Sequence, residues 1–232
     1  MKNVYGLQGE SLWTAFGFEW GDRPVISFVG GGGKSSLIQR LSEELSGKKI
    51  YHRIMTTTHM WPMVLKEYGQ QTGPVDASGK VCPPTEPETE KIFEKKVPVL
   101  IEADGSRGLP CKAPEAWEPV IRPETTHVFG VMGASCLGMA VKDCCHRPER
   151  VMAVLGCGPD HRMQVEDLAR LAKSPRGLYK NVTEKQKFGI IINQVDTEAV
   201  YQKIKPIEKL IQGKNIWFTC LRDNGWSDNY WI

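Results

Sequence analysis

The run Val25–Ser36, VISFVGGGGKSS, constrains this chain more than any other stretch. A short apolar segment enters four consecutive glycines, a lysine and two serines, and then Leu37, Ile38, Leu41 and Leu45 recur at helical spacing. Strand, glycine loop and helix in that order make a phosphate cradle. Gly30, Gly31, Gly32 and Gly33 let the backbone turn with positive φ and bring N–H groups close to phosphate oxygens. Lys34 supplies a mobile cation, expected to stand in solvent. Ser35 stands where a P-loop places a Mg²⁺ ligand, with Ser36 beside it, and the helix aims its positive end at the anion. The full G-x-x-x-x-G-K-[ST] pattern would begin at position 28, which is Phe28.

The 232 residues, 41% of them hydrophobic, suit one domain spanning 1–232. Thirty basic against 27 acidic residues leave a net charge of +3, a mixed surface that argues against nucleic acid or anionic membrane as a partner. No apolar run approaches a bilayer span of ~20 residues. The start MKNVYGLQGE lacks the layout of a secretion signal, so cytoplasmic residence is expected, and seven cysteines in that setting are expected as reduced thiols.

Six strands are predicted: Val25–Val29, Lys49–Met55, Val97–Ala103, Thr126–Val131, Lys187–Asn193 and Asn215–Cys220. Near-continuous apolar runs such as VPVLIEA and FGIIIN indicate burial on both faces. Helical patterns fall at Ser35–Leu45, Met60–Tyr68, Glu86–Lys95 and Thr197–Ile211, the last kinked at Pro206. The alternation predicts an α/β fold, a doubly wound and mostly parallel sheet of P-loop NTPase type, with ligands beyond the carboxyl ends of the strands. Residues 71–84 read as a small hairpin built on Asp76–Gly79. Residues 132–180 read as a helical insertion near the site, with helices over Pro148–Leu155 and Val165–Lys173.

Three further stretches complete a nucleotide site. The strand VPVLI runs into Glu102, Ala103, Asp104 and Gly105. A carboxylate at the end of a buried strand needs a compensating cation, and a nucleotide's Mg²⁺ would supply it. The E-x-x-G spacing resembles the third guanine-nucleotide motif of the metal-delivery GTPases that service hydrogenase and urease. That resemblance implies a Mg²⁺-bound water on Glu102 and γ-phosphate sensing by the Gly105 backbone. Asp104 competes for the metal or for acid/base work, and a solvated turn is the plainer alternative. Asn193-Gln194-Val195-Asp196 resembles the N-K-x-D guanine motif, with Asp196 on the guanine edge and Asn193 tying the base loop to the P-loop. Gln194 departs from its lysine, and a strand-terminal turn explains the same residues. Thr56–Thr58 follow the second strand, and Thr57 is a candidate for Mg²⁺ or the γ-phosphate.

GGGGKSS, the three threonines, the block IEADGSRGLPCKAPEAWEPVIRP, His146-Arg147 before Pro148, and NQVD together resemble the YqeC family, accessory proteins of selenium-dependent hydroxylases. The block from Glu102 to Pro123 is the most specific part, since E-A-D-G-S-R followed by K-A-P and E-P is no general P-loop feature. The resemblance implies a cytoplasmic P-loop protein, with GTP or ATP and Mg²⁺, that partners a maturing molybdenum hydroxylase or its cofactor. Within that block Arg107, Lys112, Glu115 and Glu118 leave a buried strand in a proline-punctuated loop, and His146 and Arg147 can join them. They form a candidate surface for an anionic or metal-bearing substrate, against the alternative of a solvated loop. Cys144-Cys145-His146 lacks the C-x-x-C spacing of a tetrahedral site, so the cysteines are expected to act as small buried hydrophobes. The expected activity is a Mg²⁺-dependent nucleotide hydrolase with GTP slightly favoured over ATP. A kinase or ligase, and a nucleotide-gated carrier without turnover, are its rivals. Trp217, Trp226 and Trp231 crowd the last residues without a readable role.

Overall fold

The computed structural model describes residues 4–6, 10–213 and 215–221; Trp226 and Trp231 lie outside them. The strands are β1 (Val4–Tyr5), β2 (Val25–Gly30), β3 (His52–Thr56), β4 (Gly69–Gln71), β5 (Val99–Glu102), β6 (Cys111–Lys112), β7 (His127–Gly133), β8 (Cys145–His146), β9 (Lys187–Asn193) and β10 (Asn215–Thr219). The helices are α1 (Leu12–Ala15), α2 (Lys34–Gly47), α3 (Glu86–Glu94), α4 (Val141–Cys144), α5 (Pro148–Leu155), α6 (Val165–Lys173), α7 (Glu198–Ile204) and α8 (Ile207–Leu210). Eight strands form one sheet in the order β1-β10-β9-β7-β2-β5-β3-β4, and every pairing in it is parallel. The fold is α/β, as the alternation predicts.

The continuous apolar runs are explained by burial on both faces. In β9, Ile190 and Ile192 enter one core with Met132, Leu168, Leu171 and Phe218, whereas Ile191 enters the opposite core with Phe28, Leu37, Leu41 and Phe129. Period-two alternation thus places neighbouring isoleucines in separate cores. Trp217 is partly buried against the core that holds Ile191: its ring meets Phe16 and Phe129, and its Nε1–H donates to Ala15 O at 2.8 Å. Pro206 divides the predicted last helix into α7 and α8.

One predicted helix is absent. Met60–Tyr68 contains no helix; Met60 instead exchanges two backbone hydrogen bonds with Val81, at 3.0 and 2.8 Å. Pro62 explains the failure, because it lacks an N–H and disfavours helical geometry at Trp61. The short parallel strand β4 was not anticipated, nor was the β6–β8 pair, which sets Cys111 opposite Cys145 and Lys112 opposite His146.

The topology marks a place for a ligand. From β2 the chain passes through α2 to β3, returns to β5 and then crosses to β7, so strand order reverses around β2. Ligands of open parallel sheets sit at such a reversal, beyond the carboxyl ends of the strands. In register there are Gly30 beside Val131, Phe28 and Thr56 on either side of Glu102, and Gly133 beside Asn193.

Candidate phosphate and metal site

At the carboxyl end of β2 the glycines turn the chain into α2 under tight constraint. Gly32, at φ +74°, has its α-carbon so close to the Met132–Gly133 peptide that any Cβ would collide with backbone. Gly33 is the N-cap of α2 at φ +105°, and a Cβ there would stand 2.6 Å from Asn193 Nδ2. The N–H groups of Gly31 and Gly32 donate to Val131 O and Leu109 O, at 2.9 and 3.0 Å. The loop is thereby clamped between β7 and the segment after β5. With glycine at the N-cap no side chain caps the helix, and its first N–H groups have no intrahelical acceptor.

The two oxygen ligands expected for a metal meet directly. Ser35 Oγ donates to Glu102 Oε2 at 2.6 Å across the gap between α2 and β5. Glu102 is buried, and that burial raises its carboxyl above the ordinary value, against the opposing pull of Lys34 and Ser35. A buried carboxyl and a hydroxyl side by side form a hard-oxygen set that suits Mg²⁺. Thr57 is placed differently: its hydroxyl donates to Val120 O at 3.2 Å, and Thr58 is the threonine whose hydroxyl flanks Gly105.

Lys34 is only 3% exposed, so the expectation of a solvated lysine is corrected. Its ammonium donates to Gly30 O at 2.5 Å and lies 3.2 Å from Asp104 Oδ1. Asp104 is the hub of this region. Both of its oxygens accept from Gly30 N–H at 3.0 Å, and Oδ2 lies 3.1 Å from the ammonium of Lys112. A carboxylate placed between two lysines holds both ammonium groups beside the glycine loop.

Beyond Asp104 the charged block of the sequence folds back as a network. Lys112, fully buried, donates to Gly105 O and to Glu118 Oε2, each at 2.7 Å. Partial burial would raise the Glu118 carboxyl, but Lys112 and then Arg147, which donates to the same oxygen, hold it below its ordinary range. Arg150 Nη2 donates to Glu115 Oε2 at 2.5 Å. Lys180 Nζ donates to the carbonyls of Ala116 and Glu118, at 2.9 and 2.6 Å. His146 lies opposite Lys112, and burial followed by the charge of Lys112 lowers its basicity. Of the predicted substrate residues, Lys112, Glu115, Glu118 and Arg147 are joined, His146 adjoins them, and Arg107 is exposed at their margin. Arg150 and Lys180 were not predicted; Arg150, three residues after Arg147, was legible as its helical neighbour.

At the far end of the site Asn193 Nδ2 donates to Gly32 O at 2.8 Å, and Asn193 Oδ1 accepts from Thr219 at 2.9 Å. The asparagine ties β9 and β10 to the glycine loop. Gln194, at φ +64°, accepts from Ser135 Oγ through its side-chain oxygen, and Asp196 Oδ1 is 3.3 Å from Cys220 Sγ. Ser36 follows Ser35 in the first turn of α2, beside Gly33. The cysteines behind the charged network pack as small hydrophobes: Cys111, Cys136, Cys144 and Cys145 are all buried in the core of α4–α6. Hydrogen bonding to Cys136 and Cys145, with burial, raises the Cys111 thiol well above its ordinary value.

Comparison with known proteins decides the family. The model of the YqeC protein family matches residues 26–149. The chain belongs to the YqeC family. A relative within it, the uncharacterized protein YqeC of Escherichia coli (strain K12), is 36% identical over 185 residues, covering 69% of this chain and 72% of that protein. No solved structure matches. The YqeC match includes the glycine loop, Glu102, Asp104 and the charged block through Arg147, and ends before Asn193. No helix among the described residues is long and apolar enough to cross a membrane.

Proposed function

We propose that this protein binds a Mg²⁺–nucleoside triphosphate in the glycine cradle and hydrolyses it, with GTP favoured over ATP. The observation that carries the reading is the Ser35–Glu102 hydrogen bond of 2.6 Å beside Lys34 at an uncapped helix N-terminus. Phosphate oxygens would take the free N–H groups of the first turn of α2, where the helix dipole favours negative charge. Lys34 would exchange its contact with Gly30 O for the phosphates and stabilise charge on the transferring phosphoryl group. Ser35 and Glu102 would hold Mg²⁺ directly or through water; the ion would supply charge neutralisation at the phosphates. Asp104 is a positioning residue in this scheme, holding Lys34 and Lys112 at the phosphate end.

The accessory role in maturation of selenium-dependent molybdenum hydroxylases is part of this proposal and is suggested by the resemblance of the Glu102–Pro123 block. A second reading is favoured by one observation: Asp104 and Lys112 connect the cradle to Glu118 and Arg147 without interruption. A small substrate held there would receive the phosphoryl group in place of water, as in a kinase or ligase. Calorimetric titration of Mg²⁺–GTP and Mg²⁺–ATP, followed by phosphate release without added substrate, tests both. Binding with steady release supports the hydrolase. Binding without release overturns the hydrolase and leaves the second reading beside a carrier without turnover, and no binding of either nucleotide overturns all of them.

A further inference from the structure

A cluster of potential ligand side chains, independent of the nucleotide reading, lies on the hairpin after β3. Met60 and Val81 form a hydrogen-bonded antiparallel pair, so His59 and Cys82, one residue outward on each strand, face each other. Asp76 reaches the same place from the turn. Its Oδ1 is saturated by Ser78 N–H, Ser78 Oγ and Lys80 N–H, at 2.8, 2.6 and 3.0 Å. Its Oδ2 is directed at the pair, 3.8 Å from His59 Nε2 and 3.8 Å from Cys82 Sγ. The three ligand atoms all lie within 4.8 Å of one another, on a surface where the His59 side chain is 55% exposed.

We propose that His59, Asp76 and Cys82 bind a zinc-class divalent transition metal, with solvent completing the coordination. The donor set decides the class: one imidazole nitrogen, one thiol sulfur and one carboxylate oxygen are the ligands of zinc, whereas Mg²⁺ and Ca²⁺ take oxygen alone. The geometry argues against a nucleophilic cysteine. In a catalytic dyad the histidine would stand against the thiol and take its proton, but here the Asp76 carboxylate stands against it, and burial first and then that carboxylate raise the thiol. A cation between the three groups reverses that repulsion. On binding, the Cys82 thiol gives its proton to solvent and the sulfur becomes a thiolate ligand. The bound metal would cross-link the stretch after Thr58 to the base of the hairpin, fixing the loop that leaves β3 at the nucleotide edge of the sheet.

Titration of the full chain with Co²⁺, without nucleotide or Mg²⁺, tests the site. One Co²⁺ per chain with a thiolate-to-cobalt charge-transfer band, displaced by Zn²⁺, is the expected result. Cys82→Ser should abolish the band, His59→Ala should weaken binding at least tenfold, and Cys157→Ser should change neither. Zn²⁺ should also raise the melting temperature of the wild type and leave that of His59→Ala where it was. A charge-transfer band that survives Cys82→Ser, or no stoichiometric Co²⁺ binding by the wild type, would overturn the proposal.

Discussion

The two ends of the candidate nucleotide site are built differently. At the phosphate end Lys34, Ser35, Glu102 and Asp104 are buried or half-buried and linked by short contacts to one another and to the glycine loop. At the base end Asn193 is locked, but Gln194 is bonded to Ser135 and Asp196 lies against Cys220. The YqeC match covers the first end and stops short of the second. Under the proposed function the phosphate and metal end is therefore the better built, and the base end the weaker. A nucleotide in a site made this way would be held chiefly through its phosphates.

The largest effect should come from Lys34→Ala. Losing a charge-assisted contact of ~1.5–3 kcal/mol should weaken Mg²⁺–GTP binding by roughly 10- to 100-fold in calorimetry. Removing the lysine also takes one ammonium from the buried Asp104 carboxylate, so the variant should melt below the wild type. Adding Asp104→Asn should restore part of that loss. A double variant that melts no higher than Lys34→Ala would break the view of Asp104 as a partner of Lys34.

Glu102→Gln should come next, with a loss confined to the metal. Nucleotide affinity should fall about tenfold with Mg²⁺ present and little without it, since the amide keeps the shape and loses the charge. The raised Glu102 carboxyl gives this a pH signature. A proton competes with Mg²⁺, so metal-dependent binding should strengthen as pH rises from the ordinary carboxylate range through the raised value. The metal-free protein behaves oppositely. Its folded state holds that proton more tightly than the unfolded chain, so this contribution to stability is present at low pH and is lost across the same window. Metal-free melting curves of wild type and Glu102→Gln should therefore converge as pH falls. Curves that stay parallel would mean that Glu102 does not titrate there.

Asn193→Ala separates structure from base reading. It removes buried hydrogen bonds to Gly32 and Thr219, at a cost of about 1–3 kcal/mol in denaturant unfolding, and should weaken GTP and ATP equally. A loss confined to GTP would place Asn193 on the base. The smallest effect is expected from Asp196→Asn, a modest shift from GTP toward xanthosine triphosphate in competition binding, because the amide donates where the carboxylate accepted. An unchanged nucleotide ranking would reduce Asn193–Asp196 to a strand-terminal turn.

Much of this was readable in the residues. Apolar runs located all six long parallel strands, and the glycines, Ser35 and Glu102 were placed together because a strand-loop-helix unit leaves few alternatives. What escaped depends on pairing across distance. The burial of Lys34 follows from Asp104, seventy positions away. The β6–β8 pair is too short to show a period, yet it sets Lys112 opposite His146. Met60–Tyr68 carried helical spacing, but Pro62 and the pairing with Val81 outweighed it. The same pairing brought His59 and Cys82 together, which no local motif announces.

Displacement of a bound fluorescent nucleotide by fragments tests the phosphate-end account most directly. Mg²⁺–tripolyphosphate should compete nearly as well as Mg²⁺–GTP against the wild type and lose that power in Lys34→Ala, while guanosine alone should compete weakly. Displacement by guanosine but not by Mg²⁺–tripolyphosphate would contradict the account.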